Sequence, residues 1–194
     1  MAQFIAFAEG VEVNGETVFA VVDGMGVFRA KALEILARNG ISEPMPGRWY
    51  SQQAWLDSFR VISETIGMVT LYAIGKKIPE NARFPRDLDT IEKALAGIDV
   101  AYHMNHRLDG KVLFDPRTRE MREGIGHYGY EKLANAKVRM TCNNPYPCDF
   151  DRGIIEAMAQ RFRPIGCLFV SVRHDDLAPC RKKGDDSCTY YVEW

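Results

Sequence analysis

The chain has 194 residues, 46% of them hydrophobic and 26% charged, with a formal net charge of -1 at pH 7. That length fits one domain and buries a real core without disulfide staples. The balanced charge leaves no footprint for nucleic acid, and no apolar run is long enough to make a membrane-spanning helix.

The N-terminal stretch lacks a basic region and meets Glu9 too early for a secretory signal, so a cytoplasmic protein is expected. In a reducing compartment five cysteines point to metal binding or burial rather than to a disulfide framework. Residues 3–8 are apolar and read as a strand. Val11 to Val22 reads as a hairpin, because Asn14-Gly15 suits a type I′ turn between alternating strands. Asp23-Gly-Met-Gly26 ends it. Phe28 to Asn39 follows at helical spacing, with Phe28, Ala32, Leu33 and Leu36 apolar and Gly40 as C-terminal cap. Ser51 caps the next helix, whose stripe is Trp55, Phe59, Ile62 and Ile66. Leu71, Ile74 and Ile78 mark another helix that should stop at Pro79.

Asp89-Thr-Ile-Glu92 has the spacing of a capping box. Leu88, Ile91, Leu95, Ile98 and Tyr102 hold helical register up to His103 and His106. Leu108 to Phe114 reads as a turn and short strand, and 117–123 as a polar loop. His127 to Leu133 and Lys137 to Cys142 read as paired strands, joined at Ala134-Asn-Ala136. A helix is expected from about Asp151 to Arg163, a strand over Cys167 to Val172, and a last strand from Cys188 to Trp194. The sum is an α+β single domain over 1–194, a helical layer packed on a mostly antiparallel sheet. Its parts are an N-terminal strand and hairpin to 26, a mainly helical section over 27–106, and a sheet with one helix and a metal clip over 107–194.

The chemistry concentrates in the cysteines. Cys180 and Cys188 flank a polar loop with Gly184 near its middle, so the loop can double back and bring the two sulfurs together. Two thiolates do not complete a zinc site, which takes four ligands. Cys148, after Pro147 and ahead of a helix, sits where the helix dipole favours thiolate. His174 lies six residues before Cys180 and is the fourth candidate; Asp175, Asp176 and Cys142 are alternatives. Cys167, opening an apolar run, reads as core. The basic run Arg181-Lys182-Lys183 reads as a solvated loop. His103 and His106, three apart on a helix end, would face one way, able to hold a metal or simply to complement the dipole. His127 has no motif around it. No serine has a nucleophile elbow, and Gly24-Met-Gly26 lacks the residues of a phosphate loop.

Pro147-Cys148, Cys180…Gly184-Asp185…Cys188 and the alternating Thr189-Tyr-Tyr-Val-Glu-Trp194 together resemble the 4-vinyl reductase-like domain family, over roughly 124–194. The resemblance implies a helical layer on an antiparallel sheet, usually dimeric, with an apolar pocket. That fold is shared with small vesicle-tethering subunits and haem-nitric-oxide domains. It also implies a structural zinc held by Cys148, Cys180 and Cys188. Sensor members carry an acidic residue three positions before the first cysteine of the closing pair. Here that position is Leu177, and His174 is taken in its place.

The reading is therefore a zinc-stapled domain that binds a hydrophobic or aromatic small molecule. Trp55, Phe59, Tyr72, Tyr102 and His106 are the candidate pocket residues. A homodimer and a separate signalling partner are expected. The alternatives are a reductase or accessory factor of tetrapyrrole metabolism, and a haem-binding gas sensor using His103, His106 or His127. A binding domain is favoured over an enzyme, since no nicotinamide or flavin site is visible.

Overall fold

The computed structural model describes residues 3–194. In chain order the elements are β1 (Val11–Asn14), α1 (Gly15–Gly24), α2 (Arg29–Arg38), β2 (Trp49–Ser51), α3 (Gln52–Thr65), α4 (Met68–Asn81) and α5 (Ile91–Met104). There follow β3 (His106–Leu108), β4 (Lys111–Val112), β5 (Phe114–Asp115), β6 (Glu120–Met121), β7 (His127–Ala134), β8 (Lys137–Asn143), α6 (Cys148–Arg161), β9 (Ser171–His174) and β10 (Cys188–Glu193). The strands form two four-stranded sheets, ordered β2-β1-β3-β4 and β7-β8-β10-β9, and a small β5-β6 hairpin. Every pairing is antiparallel. The architecture is the expected α+β single domain.

The interior is built on the helical stripes. Trp55, Phe59 and Ile62 of α3, Leu71 and Ile74 of α4, and Leu95 and Ile98 of α5 are all buried. So are Ile154, Ile155 and Met158 of α6. Two glycines bring α4 and α6 into close approach. A Cβ on Gly75 would lie 2.1 Å from the Phe150 carbonyl oxygen, and one on Gly153 would lie 2.3 Å from that of Tyr72. The two backbones touch where any side chain would hold them apart.

Several local expectations change. Asn14-Gly15 is not a hairpin turn but the start of α1. Asn14 has φ -73°, ψ 155°, and its side chain accepts a hydrogen bond from the Thr17 amide, as an N-cap does. Val18, Val21 and Val22 then bury a helical stripe. Residues 3–8 form no strand. Phe4 N–H donates to the Pro145 carbonyl, and the Gln53 side chain bonds both Ala6 N–H and the Phe4 carbonyl, so a side chain takes the place of a ladder. Helix α4 runs two residues beyond Pro79. Thr90, not Asp89, caps α5 by accepting from the Lys93 amide. Helix α6 starts at Cys148, three residues before Asp151. The strand expected over 167–172 is shifted to Ser171–His174, with Leu168 and Phe169 exposed in the loop before it.

Candidate functional site: a cysteine–histidine cluster and an interior cavity

Four chain segments meet at the sheet end. Cys148 is the first residue of α6, and His174 ends β9. Cys180 precedes a 3-10 turn (Arg181–Lys183) that Gly184 reverses at φ +93°, and Cys188 opens β10. One ligand atom from each of Cys148, His174, Cys180 and Cys188 lies within 4.8 Å of all the others. The sulfurs of Cys148 and Cys180 are 3.6 Å apart, and those of Cys180 and Cys188 are 3.8 Å apart. A tetrahedron with zinc–sulfur bonds of about 2.3 Å has edges of about 3.8 Å. Cys148 and Cys188 are closer, at 2.9 Å. That is well beyond a disulfide bond, and the five cysteines are free.

The polarity around the sulfurs fits a cation. The hydrogen bond from Cys148, with help from Arg181 and against burial, pulls the Cys188 thiol down. The same bond, with burial, pushes Cys148 up, so the pair shares one proton. The Arg181 amide also points at Cys188 Sγ, at 3.4 Å. His174 Nδ1 is 2.8 Å from Asp176 Oδ1, which leaves Nε2 buried without a partner. A carboxylate on one imidazole nitrogen and a free lone pair on the other is the arrangement of a metal-binding histidine. The alternative fourth ligands are engaged elsewhere. Asp176 holds His174, Asp175 accepts from the Leu177 and Ala178 amides, and Cys142 stays buried on β8 opposite Cys188.

Arg181 is not the solvated residue its basic neighbours suggest. It is 2% exposed. Its guanidinium donates to the Asp151 carboxylate and the Cys142 carbonyl. Burial pushes Asp151 up to about 6, against the pull of Arg181 and of the Tyr128 hydroxyl, which donates to it at 2.6 Å. This ion pair ties the cysteine loop to α6. Sequence reading missed it because Arg181 and Asp151 are 30 residues apart; the one local signal was a basic residue directly beside a candidate ligand cysteine.

Cys167 is not core. It is half-buried in the exposed loop, and its thiol donates to the Phe169 carbonyl at 2.9 Å.

A cavity of about 40 Å³ lies among α3, α5 and α6. Trp55, Tyr102 and His106 line it, together with Tyr146 and Phe150, which the sequence reading did not select. Phe59 does not line it, but packs on Trp55 with ring centroids 4.7 Å apart. Tyr72 lies elsewhere, beneath Lys76 and Arg152. His103 and His106 do not share a helix face, because α5 ends at Met104 and His106 begins β3. His106 Nδ1 donates to the Tyr102 carbonyl at 2.7 Å, and its Nε2 accepts from the Tyr146 hydroxyl at 2.5 Å. Tyr146 in turn accepts from Gln52 Nε2 at 3.0 Å. Burial pushes His106 down to about 3, so it is neutral and both its nitrogens are engaged. Trp55 Nε1–H is buried with no partner.

No family model and no curated protein matches the chain. Solved structures do. An H-NOX protein from S. oneidensis in the Fe(II) ligation state, a triple variant, matches with TM-score 0.60 and 15% identity, over 93% of this chain and 95% of that one. A protein solved to show haem redox potential modulated by protein-induced porphyrin distortion gives 0.61 and 13%, over 93% and 94%. An oxygen-binding H-NOX domain related to soluble guanylate cyclases, in its oxygen complex, gives 0.58 and 14%, over 92% and 91%. At these identities the similarity is one of fold: the chain has an H-NOX-like fold.

Proposed function

We propose that the chain is a zinc-clipped binding domain of the 4-vinyl reductase-like kind. Cys148, His174, Cys180 and Cys188 would hold a structural zinc, and the cavity beside Trp55 would take a small apolar molecule with one hydrogen-bond acceptor. The unpaired Trp55 N–H carries the ligand reading. A buried donor with no partner costs free energy that a ligand acceptor would recover, and the remaining wall is mostly apolar and aromatic, with Thr17, Asn105 and His106 as its polar members. The zinc reading rests on the convergence of three thiols and a free imidazole lone pair.

A porphyrin does not fit the residues present. Pockets for larger ligands run to about 300–1,000 Å³, against a cavity of about 40 Å³ here. The one histidine that lines it has both nitrogens bonded. The ligand is therefore small, or enters as the aromatic walls part. We also propose a homodimer through the helical layer, where Val27, Phe28 and Val69 are exposed; signalling would need a separate partner. Native mass spectrometry of protein purified without added ligand tests this reading. It should find one zinc per chain, a co-purified small molecule and a dimer. Trp55→Phe should keep the zinc and lose the small molecule. Protein without transition metal by elemental analysis would remove the clip, and a ligand unaffected by Trp55→Phe would remove the cavity assignment.

A further inference from the structure

The β7-β8-β10-β9 sheet has a histidine on each edge strand. On β9 it is His174, in the clip. On β7 it is His127, which faces α5. Asp99 and His103 lie one turn apart on that helix, and one donor atom from each of Asp99, His103 and His127 lies within 4.8 Å of the others. The His103 and His127 rings are 5.1 Å apart and tilted by 33°.

The hydrogen bonds assign the lone pairs. His103 Nδ1 is 2.8 Å from the Asp99 carbonyl oxygen. A carbonyl only accepts, so Nδ1 carries the proton. In the neutral ring the lone pair then lies on Nε2. That nitrogen is buried and has no partner in a residue that is 0% exposed. His127 Nε2 is 2.8 Å from Glu123 Oε2, and its Nδ1 is 3.1 Å from Asp99 Oδ2. Asp99 Oδ1 is fixed by the Tyr128 amide at 2.8 Å. His103 thus keeps one nitrogen free, whereas His127 has a carboxylate oxygen at each nitrogen, and against burial those carboxylates hold it above its ordinary value; a metal would take its Nδ1 by displacing that proton from between His127 and Asp99. The separation of 3.1 Å between His127 Nδ1 and Asp99 Oδ2 is close to the edge of about 3.3 Å between two ligands of a tetrahedral zinc.

We propose that Asp99, His103 and His127 form a second metal site, separate from the cysteines, for a divalent first-row transition ion. Glu123 and the Asp99 carbonyl are its outer partners, orienting the two rings. Two imidazoles and one carboxylate suit zinc or ferrous iron rather than a soft, thiolate-seeking ion. Glu123 is exposed and His127 half-exposed, so the remaining coordination positions face solvent.

The bland alternative is that protonated His127 merely bridges Asp99 and Glu123 as an ion pair. Titration of the full chain separates the two. Protein already carrying one equivalent of zinc would be titrated with Zn(II) and with Co(II), following heat and visible absorption. A further single equivalent should bind, and its cobalt spectrum should show d–d bands without thiolate charge transfer. His127→Ala should abolish it, and Glu123→Gln should weaken it about 10–100-fold, as outer-partner changes do. Cys148→Ser should leave it intact. Melting curves would check that each variant folds, and His127→Ala, at the half-exposed start of β7, is the decisive one. Absence of the second equivalent, or its persistence in His127→Ala, would overturn the site. An iron-specific site would appear as ferrous binding that zinc cannot compete away.

Discussion

The aromatic core and the cysteine clip both grip the first turn of α6, by different physics. Phe150 enters the core, packing on Phe59, Tyr146 and Trp55 with centroids 4.9, 5.2 and 5.8 Å apart. Two residues earlier, Cys148 enters the clip. The core holds by contact, from long amphipathic helices that bury one face each. The clip joins a helix start, two strand ends and a tight loop, and the buried Val172, Tyr190 and Val192 of those strands lie beside it. Its geometry comes from polar atoms that would repel or go unpaired without a cation between them. On the proposed zinc reading, such a region would depend on its ligand for stability, whereas the core would not.

Metal removal should therefore be the largest perturbation. Structural zinc contributes on the order of 10 kcal/mol or more in zinc-finger peptides, beyond the roughly 3–5 kcal/mol of an aromatic truncation in a core. Chelation, or Cys148→Ser, should lower Tm more than Phe59→Ala does. Hydrogen exchange should rise first in β9, β10 and the 175–187 loop while α3 and α4 stay protected. His174→Ala should weaken metal retention sharply. Uniform loss of protection across both regions would show that they are one cooperative unit and break the contrast.

The core has its own weak point, and it is backbone contact rather than side-chain volume. Gly153→Ala places a Cβ 2.3 Å from the Tyr72 carbonyl oxygen. Neither helix backbone can move without disturbing the aromatic cluster, so a loss of about 1–3 kcal/mol is expected. Zinc content should be unchanged. Denaturant unfolding paired with elemental analysis checks both halves of that statement.

The division between the regions also explains what the sequence disclosed. Helices α3 to α6 were legible because a buried stripe repeats every three or four residues; α2 was legible in place but not in face, since Phe28 and Leu33 are exposed and Ala32, Ile35 and Leu36 are buried. That Cys148, His174, Cys180 and Cys188 come together was legible from the loop that doubles back at Gly184 and from the cysteine ahead of a helix. The start of α1 was misread because Asn-Gly signals a hairpin turn and Asn alone signals a helix cap. Only tertiary context separates the two, here the buried Asn105, whose side-chain oxygen accepts from Asn14 at 2.7 Å. Arg181, Asp151 and Tyr146 were illegible for another reason. Each is polar, each is buried, and each depends on partners dozens of residues away. The Leu168-Phe169 run has strand composition, yet β9 begins only at Ser171.

A pH titration sharpens the contrast from the core side. His106 is held neutral, with a folded-state value of about 3 set first by burial and then by charge repulsion with His103, against the bond to the Tyr102 carbonyl. In the unfolded chain a histidine titrates near 6.5. The unfolded state therefore binds the extra proton between these values. The contribution is fully present above about pH 6.5 and is lost as pH falls toward 3, at up to about 1.4 kcal/mol per pH unit. Tyr102 and Tyr146, the other groups facing the ring, stay protonated throughout, and burial of His103 adds a slope of the same sign. His106→Gln, which keeps an acceptor for Tyr146, should reduce the slope of stability against pH below 6.5. An unchanged slope would mean that acid acts elsewhere, with the cysteine clip as the first place to look.

The smallest effect should come from the fifth cysteine. As the opening residue of the run Cys167-Leu-Phe-Val, Cys167 reads as a core thiol, and trimming it would then cost on the order of 1 kcal/mol. Its surroundings argue for less. The next two residues are exposed, at 89% for Leu168 and 69% for Phe169, so the side chain borders a loop and not a packed interior. Its thiol gives a hydrogen bond to the Phe169 carbonyl two residues on, a local contact whose acceptor reaches water once the thiol is gone. Cys167→Ala should therefore shift stability by less than about 0.5 kcal/mol, as surface changes do. Metal content should not change, since Cys167 contributes nothing to the cluster of Cys148, His174, Cys180 and Cys188. The same variant leaves four cysteines, and thiol labelling should then lose its fastest-reacting site while the clip sulfurs react only after chelation. A metal loss in Cys167→Ala would mean that the 165–170 loop, and not only the α6 and β9 it joins, sets the geometry of the clip.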